Sequence, residues 1–90
     1  MHITLVKKVL KSGEPCRKCA DVLEKLTNSG HLSRIDEIVI ADETDPESPG
    51  MQLAKQYQVD LAPFFVVQED GKEPVIYTVY LKFVMEVLDG

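Results

Sequence analysis

Apolar and polar residues switch period several times along this chain, and each switch marks an element. Residues 2–10, HITLVKKVL, are rich in β-branched side chains and too short for a convincing helix, which predicts a buried strand. KSGEP then breaks the run, with Gly13 and Pro15 as punctuation. From Cys16 to Asn28 the period lengthens. Ala20, Val22, Leu23 and Leu26 recur at helical spacing, and Gly30 sits where a C-terminal cap belongs. Residues 34–42, RIDEIVIAD, return to a strand pattern, apolar enough to be covered on both faces, and run into an acidic loop.

That loop stops at Ser48-Pro49, an N-cap followed by a proline at the first helical position. A helix over 50–58 follows, with Met51, Leu53, Ala54 and Tyr57 as its packing positions. A strand is expected to start at Pro63, turn at Glu69–Lys72 on Asp70-Gly71, and return from Pro74 to Thr78. The last stretch, 79–90, sets Tyr80, Phe83, Val84, Val87 and Leu88 on one helical face. The order is β-α-β-α-β-β-α. A strand–helix–strand unit calls for a parallel pair, and the Asp-Gly hairpin for an antiparallel pair beside it. The pattern predicts one α/β domain over residues 1–90, with a four-stranded mixed sheet and helices on its two faces.

Composition narrows the function classes. The chain has 90 residues and a formal net charge of -5, which argues against a general binder of nucleic acid or anionic membrane. Its basic cluster, Lys7, Lys8 and Lys11, reads as solvated charge near a strand end, and the acidic run Asp42–Glu47 as a solvated loop. No stretch approaches the roughly 20 apolar residues that span a bilayer. The first residues make a poor signal peptide, because Lys7 and Lys8 interrupt a short apolar run that lacks a small-residue cleavage site. The expected setting is the cytoplasm, where a dithiol stays reduced unless it works.

The chain has two cysteines, Cys16 and Cys19, in GEPCRKCADVLEKL at the start of the first helix. Three readings are open. They form a redox couple, half of a metal site, or an inert dithiol on a scaffold used for binding. A tetrahedral metal needs two more ligands, and His2 and His31 lack a paired spacing. If Cys16 occupies the helix N-terminus, unpaired N–H groups, the positive end of the helix dipole and the charges of Arg17 and Lys18 favour its thiolate. Cys19, one turn on and more buried, is then placed to resolve a mixed disulfide on Cys16.

The element order and the C-x-x-C opening the first helix resemble the thioredoxin–glutaredoxin superfamily. LAKQYQVDLAPFFVVQEDGK, residues 53–72, is similar to the signature region of that family, at Ala54, Tyr57, Val59, Pro63, Asp70 and Gly71. The resemblance covers nearly the whole chain. It departs from both main branches at the partner-reading positions. There is no Trp, Leu10 stands where thioredoxins carry a buried acid, and Phe64 follows the proline where Thr is common. YTVYLKF, residues 77–83, replaces the Gly-Gly and acidic pattern with which glutaredoxins grip glutathione.

The resemblance implies a thioredoxin-like fold and a cis proline at Pro63 placed against the dithiol. It implies that the Ala62 backbone pairs with an extended substrate, that the Pro63 ring keeps metals off the sulfurs, and that Phe64 belongs to the same substrate-binding loop. The expected function is a thiol–disulfide oxidoreductase with Cys16 as nucleophile, Cys19 as resolving thiol, and Arg17 and Lys18 stabilising the thiolate. No cofactor is expected beyond the redox-active dithiol. The expected partners are a disulfide-containing protein or small molecule and a reductant, acting on a monomer. The competing reading is a thioredoxin-fold adaptor whose dithiol is incidental or regulatory.

Overall fold

The computed structural model describes residues 1–89; Gly90, the end of the expected domain and of its last helical stretch, lies outside the described residues. The elements are β1 (His2–Val9), α1 (Arg17–Asn28), β2 (Glu37–Asp42), α2 (Pro49–Tyr57), β3 (Phe64–Gln68), β4 (Val75–Tyr77) and α3 (Tyr80–Phe83), which continues as a π-helix, Val84–Leu88. The sheet is four-stranded and mixed, in the order β2-β1-β3-β4. β1 runs parallel to β2, pairing Thr4–Val9 with Glu37–Asp42, and antiparallel to β3, pairing His2–Val6 with Gln68–Phe64. β3 and β4 are antiparallel over Phe65–Val67 and Tyr77–Val75. The Gly71 turn between them has φ +74, and the Lys72 N–H donates to the Glu69 carbonyl at 3.1 Å.

The two central strands are apolar on both sides, so each face of the sheet has its own core. Ile3, Leu5, Phe65 and Val67 meet Val22 and Leu26 of α1 and Phe83, Val87 and Leu88 of the last helix. Phe65 stacks on Phe83 with centroids 3.9 Å apart, and Tyr77 meets Phe83 edge-on at 5.7 Å. On the other face Val6, Ala41, Phe64 and Val66 pack against Met51, Leu53, Ala54 and Tyr57, the expected face of α2. The last helix widens where Asp89 N–H bonds the Val84 carbonyl, and this wider turn buries both Val87 and Leu88.

Helix ends follow their residues. Ser48 is the N-cap of α2 and Pro49 its first residue, although the Ser48 hydroxyl serves the preceding loop, accepting the Asp42 N–H at 3.0 Å and donating to the Asp45 carbonyl at 2.8 Å. At the end of α1, the Gly30 N–H bonds Thr27 and the His31 N–H bonds Leu26, with Gly30 at φ +77. That is the paired closure a left-handed glycine provides.

Three expectations need correction. β2 is an edge strand and is covered on one face only. Val39 and Ala41 face α2, while Ile38 and Ile40 remain 44% and 43% exposed because the opposite core gathers over β1 and β3. The strand also starts at Glu37 rather than Arg34, since Leu32–Arg34 form a 3-10 turn. Ala20, counted among the helical packing positions, is exposed. Among the described residues no helix is long and apolar enough to cross a membrane.

Gly50, in the first turn of α2, is where α2 lies closest to β2. A Cβ there would stand 2.3 Å from the Ala41 nitrogen and 2.5 Å from the Ile40 carbonyl carbon, both backbone atoms. Helix propensity alone favours Gly→Ala by about 1 kcal/mol. Overpacking against an unyielding strand reverses the sign, and Gly50→Ala is expected to lose about 1–3 kcal/mol. A lowered urea midpoint at unchanged slope is the expected result; a raised midpoint would show that the α2–β2 contact gives way.

Candidate active site

The dithiol is held by the end of β1. β3 begins at Phe64, opposite Val6, so Lys8 lies beyond the β1–β3 ladder. Its backbone groups on that side need other partners. The Lys8 N–H donates to Cys19 Sγ at 3.3 Å, and the Lys8 carbonyl accepts the Cys16 N–H at 3.1 Å. The intervening loop turns back through Gly13, at φ +87, with Pro15 bridged to Val9.

Cys16 is the N-cap of α1, with extended backbone (φ -65, ψ 126), and no side-chain capping bond closes there. Cys16 is half-buried, whereas Cys19 is buried; both are free thiols. Their acidities diverge. Partial burial opposes ionisation of Cys16. The neighbouring Cys19 thiol, the N–H groups of Cys19 and Lys18, and the charge of Lys8 outweigh it, so the Cys16 pKa falls below that of an ordinary thiol. Cys19 goes the other way. Burial, together with contact with and charge on Cys16, pushes it up to about 11 against the lowering effects of the Lys8 N–H and the Lys7 charge.

The expected charge donors are therefore corrected. Arg17 and Lys18 are exposed, and Lys18 acts through its backbone N–H. The Lys8 charge is the last and smallest of the causes that lower Cys16, and Lys8 is not a free solvated charge. Its Nζ stands 3.5 Å from Glu43 Oε2, and the two side chains are 28% and 26% exposed. Sequence reasoning missed both residues. The signal available was the register: a strand beginning at Pro63 ends its pairing before Lys8.

The Ala62–Pro63 peptide bond is cis. Ala62 and Pro63 line a groove of about 260 Å³ with Lys18 and Val22 of α1 and Thr78 and Tyr80 at the start of α3. Ala62 also borders a larger groove of about 520 Å³ on the α2 face, lined by Lys8, Glu43, Met51, Lys55 and Val59. Leu61, 62% exposed, forms the ridge between them. Phe64 is a further correction. Its ring is buried in the α2-side core, at 1% exposure, and has no surface to offer a substrate. Among the described residues no group of three or more His, Cys, Asp or Glu is arranged to hold a metal ion. No family model matches the chain, and no curated protein matches it.

The divergence of the two thiols sets the pH dependence of alkylation. A thiol reacts as its thiolate, so Cys16 should reach half its limiting iodoacetamide rate below the ordinary thiol pKa and Cys19 only near pH 11. Neutralising Arg17 and Lys18 together should move the Cys16 midpoint little, because exposed charges are screened. Mass mapping of each cysteine against pH checks both statements. A Cys19 that ionises first would contradict the geometry.

Proposed function

We propose that this chain is a thiol–disulfide oxidoreductase with a thioredoxin-like fold. The observation that carries the reading is one thiol acidified at the head of α1 directly beside a buried thiol of raised pKa. The strand order β2-β1-β3-β4, the dithiol after β1 and the cis proline before β3 support the fold assignment. Ala62 and Pro63 border the groove beside α1, where their backbone is available to an extended segment of a disulfide partner.

The two acidities match the two halves of an exchange reaction. The Cys16 thiolate attacks one sulfur of the partner disulfide, forming a mixed disulfide and expelling the second sulfur as a thiolate. Cys16 then carries no charge. Burial, the largest influence raising Cys19, persists, but the Cys16 charge is removed, while the Lys8 N–H and the Lys7 charge still lower it. The departing thiolate takes the Cys19 proton, and Cys19 attacks Cys16 Sγ. A Cys16–Cys19 disulfide forms, and the remaining partner sulfur leaves as a thiolate. Two electrons pass to the partner.

Cys16→Ser is expected to abolish disulfide reduction, and Cys19→Ser to stop at one trapped mixed disulfide. In a titrated thiol buffer, followed by alkylation and mass, the wild type should pass through a two-electron transition between about -120 and -300 mV. Turnover with glutathione alone should be poor, because residues 77–83 lack the glutathione grip of glutaredoxins. If both thiols remain free under strongly oxidising buffer, the oxidoreductase reading fails and the adaptor reading takes its place.

A further inference from the structure

We infer that the groove between α1 and the Ala62–Pro63 loop selects an acidic protein segment, with uncharged residues between two carboxylates, and that Lys18 and Lys25 determine this specificity. That such a segment bears the partner disulfide rests on the oxidoreductase reading; the charge and shape of the groove do not. Lys18, Asp21, Val22 and Lys25 line it from α1. Their spacing of three, four and seven residues sets all four on one stripe of the helix. The opposite wall is Leu61–Pro63 with Thr78 and Tyr80. Val22 and Phe65, both buried, form an apolar floor.

The two lysines are uncommitted. Among the described residues the ion pairs are His2–Glu37, Lys8–Glu43, Lys72–Glu69 and Lys82–Glu86, and neither Lys18 nor Lys25 belongs to one. Lys25 Nζ lies 5.9 Å from the centroid of the Tyr80 ring, which holds the ammonium over the groove. Tyr80 leans in turn on Phe65, with centroids 6.3 Å apart. Two cations against Asp21 make the groove locally positive on a chain of net charge -5. The larger groove on the α2 face balances Lys8 and Lys55 with Glu43 and Asp60. The hollow beside β4 sets Lys72 against Glu69, Glu73 and Glu86. Carboxylates are therefore favoured beside α1 and not at the other two.

Spacing gives the pattern of the segment. Lys18 and Lys25 are separated by about 10 Å along the helix axis, at about 1.5 Å per residue. Three residues of extended chain, at about 3.3 Å each, span the same length. Carboxylates three residues apart thus meet both lysines. Asp21, between them, repels a carboxylate at the centre, so the inner residues are uncharged. At about 260 Å³ the groove is smaller than the roughly 300–1,000 Å³ that encloses a small molecule, and it suits a chain passing through.

The probe is a fluorescein-labelled peptide with Glu-Leu-Ser-Glu at its centre, serine standing where cysteine would be. Its binding to the reduced protein is read by anisotropy. It should bind about tenfold more tightly than the same peptide with lysine for both glutamates. Lys18→Gln and Lys25→Gln should each weaken it about twofold to fivefold, and the double variant by about the product. Lys11→Gln, which removes the same charge outside the groove, should leave binding unchanged. Asp21→Asn should help a Glu-Glu-Ser-Glu peptide more than the original. Equal affinity for the acidic and basic peptides overturns the inference, and so does an equal loss in Lys11→Gln. An Asp21→Asn variant that helps both peptides alike overturns the uncharged centre. Displacement of the probe by oxidised glutathione at equal concentration gives the groove to a small molecule and overturns the choice of a protein segment. Because the probe carries no sulfur, disulfide reduction that survives Cys16→Ser sinks the oxidoreductase reading alone, and the binding comparison still decides the groove.

Discussion

β1 outlasts its antiparallel partner, and the site depends on that mismatch. A backbone N–H and carbonyl left unpaired inside a protein cost about 1–3 kcal/mol each. At Lys8 the N–H goes to Cys19 Sγ and the carbonyl to the Cys16 N–H. The head of α1 is therefore tied to the sheet by the same bonds that close the sheet's open end. Neither cysteine can shift along the strand without orphaning a group on Lys8. The dithiol inherits its position from strand register.

Register in turn depends on the two cores. The cis Ala62–Pro63 bond immediately precedes Phe64, where β3 begins opposite Val6. Phe64 and Phe65 then anchor opposite faces, one under α2 and the other stacked on Phe83. A slip of one residue in β3 would exchange those rings between faces. Burying Phe64 thus fixes the Ala62–Pro63 loop that borders the groove beside α1. Gly50 holds the same frame from the α2 side, by letting that helix approach the backbone of Ala41.

Most of the fold was legible because its signals are local. Period changes located the four strands and three α-helices but not the 3-10 turn Leu32–Arg34, and Ser48-Pro49, Gly30 and Asp70-Gly71 marked ends. The burial of β2 was not legible. Ile38 and Ile40 read as core residues, and only the strand order shows that no helix covers their face. Cys16 and Cys19 stood out by spacing alone. Their supporting charge did not, because Lys8 and Glu43 are distant in sequence and meet only when β1 and β2 align in parallel. Arg17 and Lys18 seemed the natural charge donors through adjacency in sequence. On a helix, adjacency places side chains on different faces, and both of these point to solvent.

Burial opposes the charge on both thiols, and hydrogen bonds from Cys19 and two N–H groups overcome it at Cys16 alone. A thiol exposed enough to meet a partner keeps its charge affordable with two N–H groups and a lysine nearby. Its neighbour one turn on lies under the helix at 3% exposure, where a second negative charge beside the first is strongly opposed. The opposition is conditional. It depends partly on the Cys16 charge, which vanishes when Cys16 bonds to a partner. In the proposed exchange, attack by the first thiol would weaken the restraint on the second, and the order of events would follow from electrostatics without any moving part.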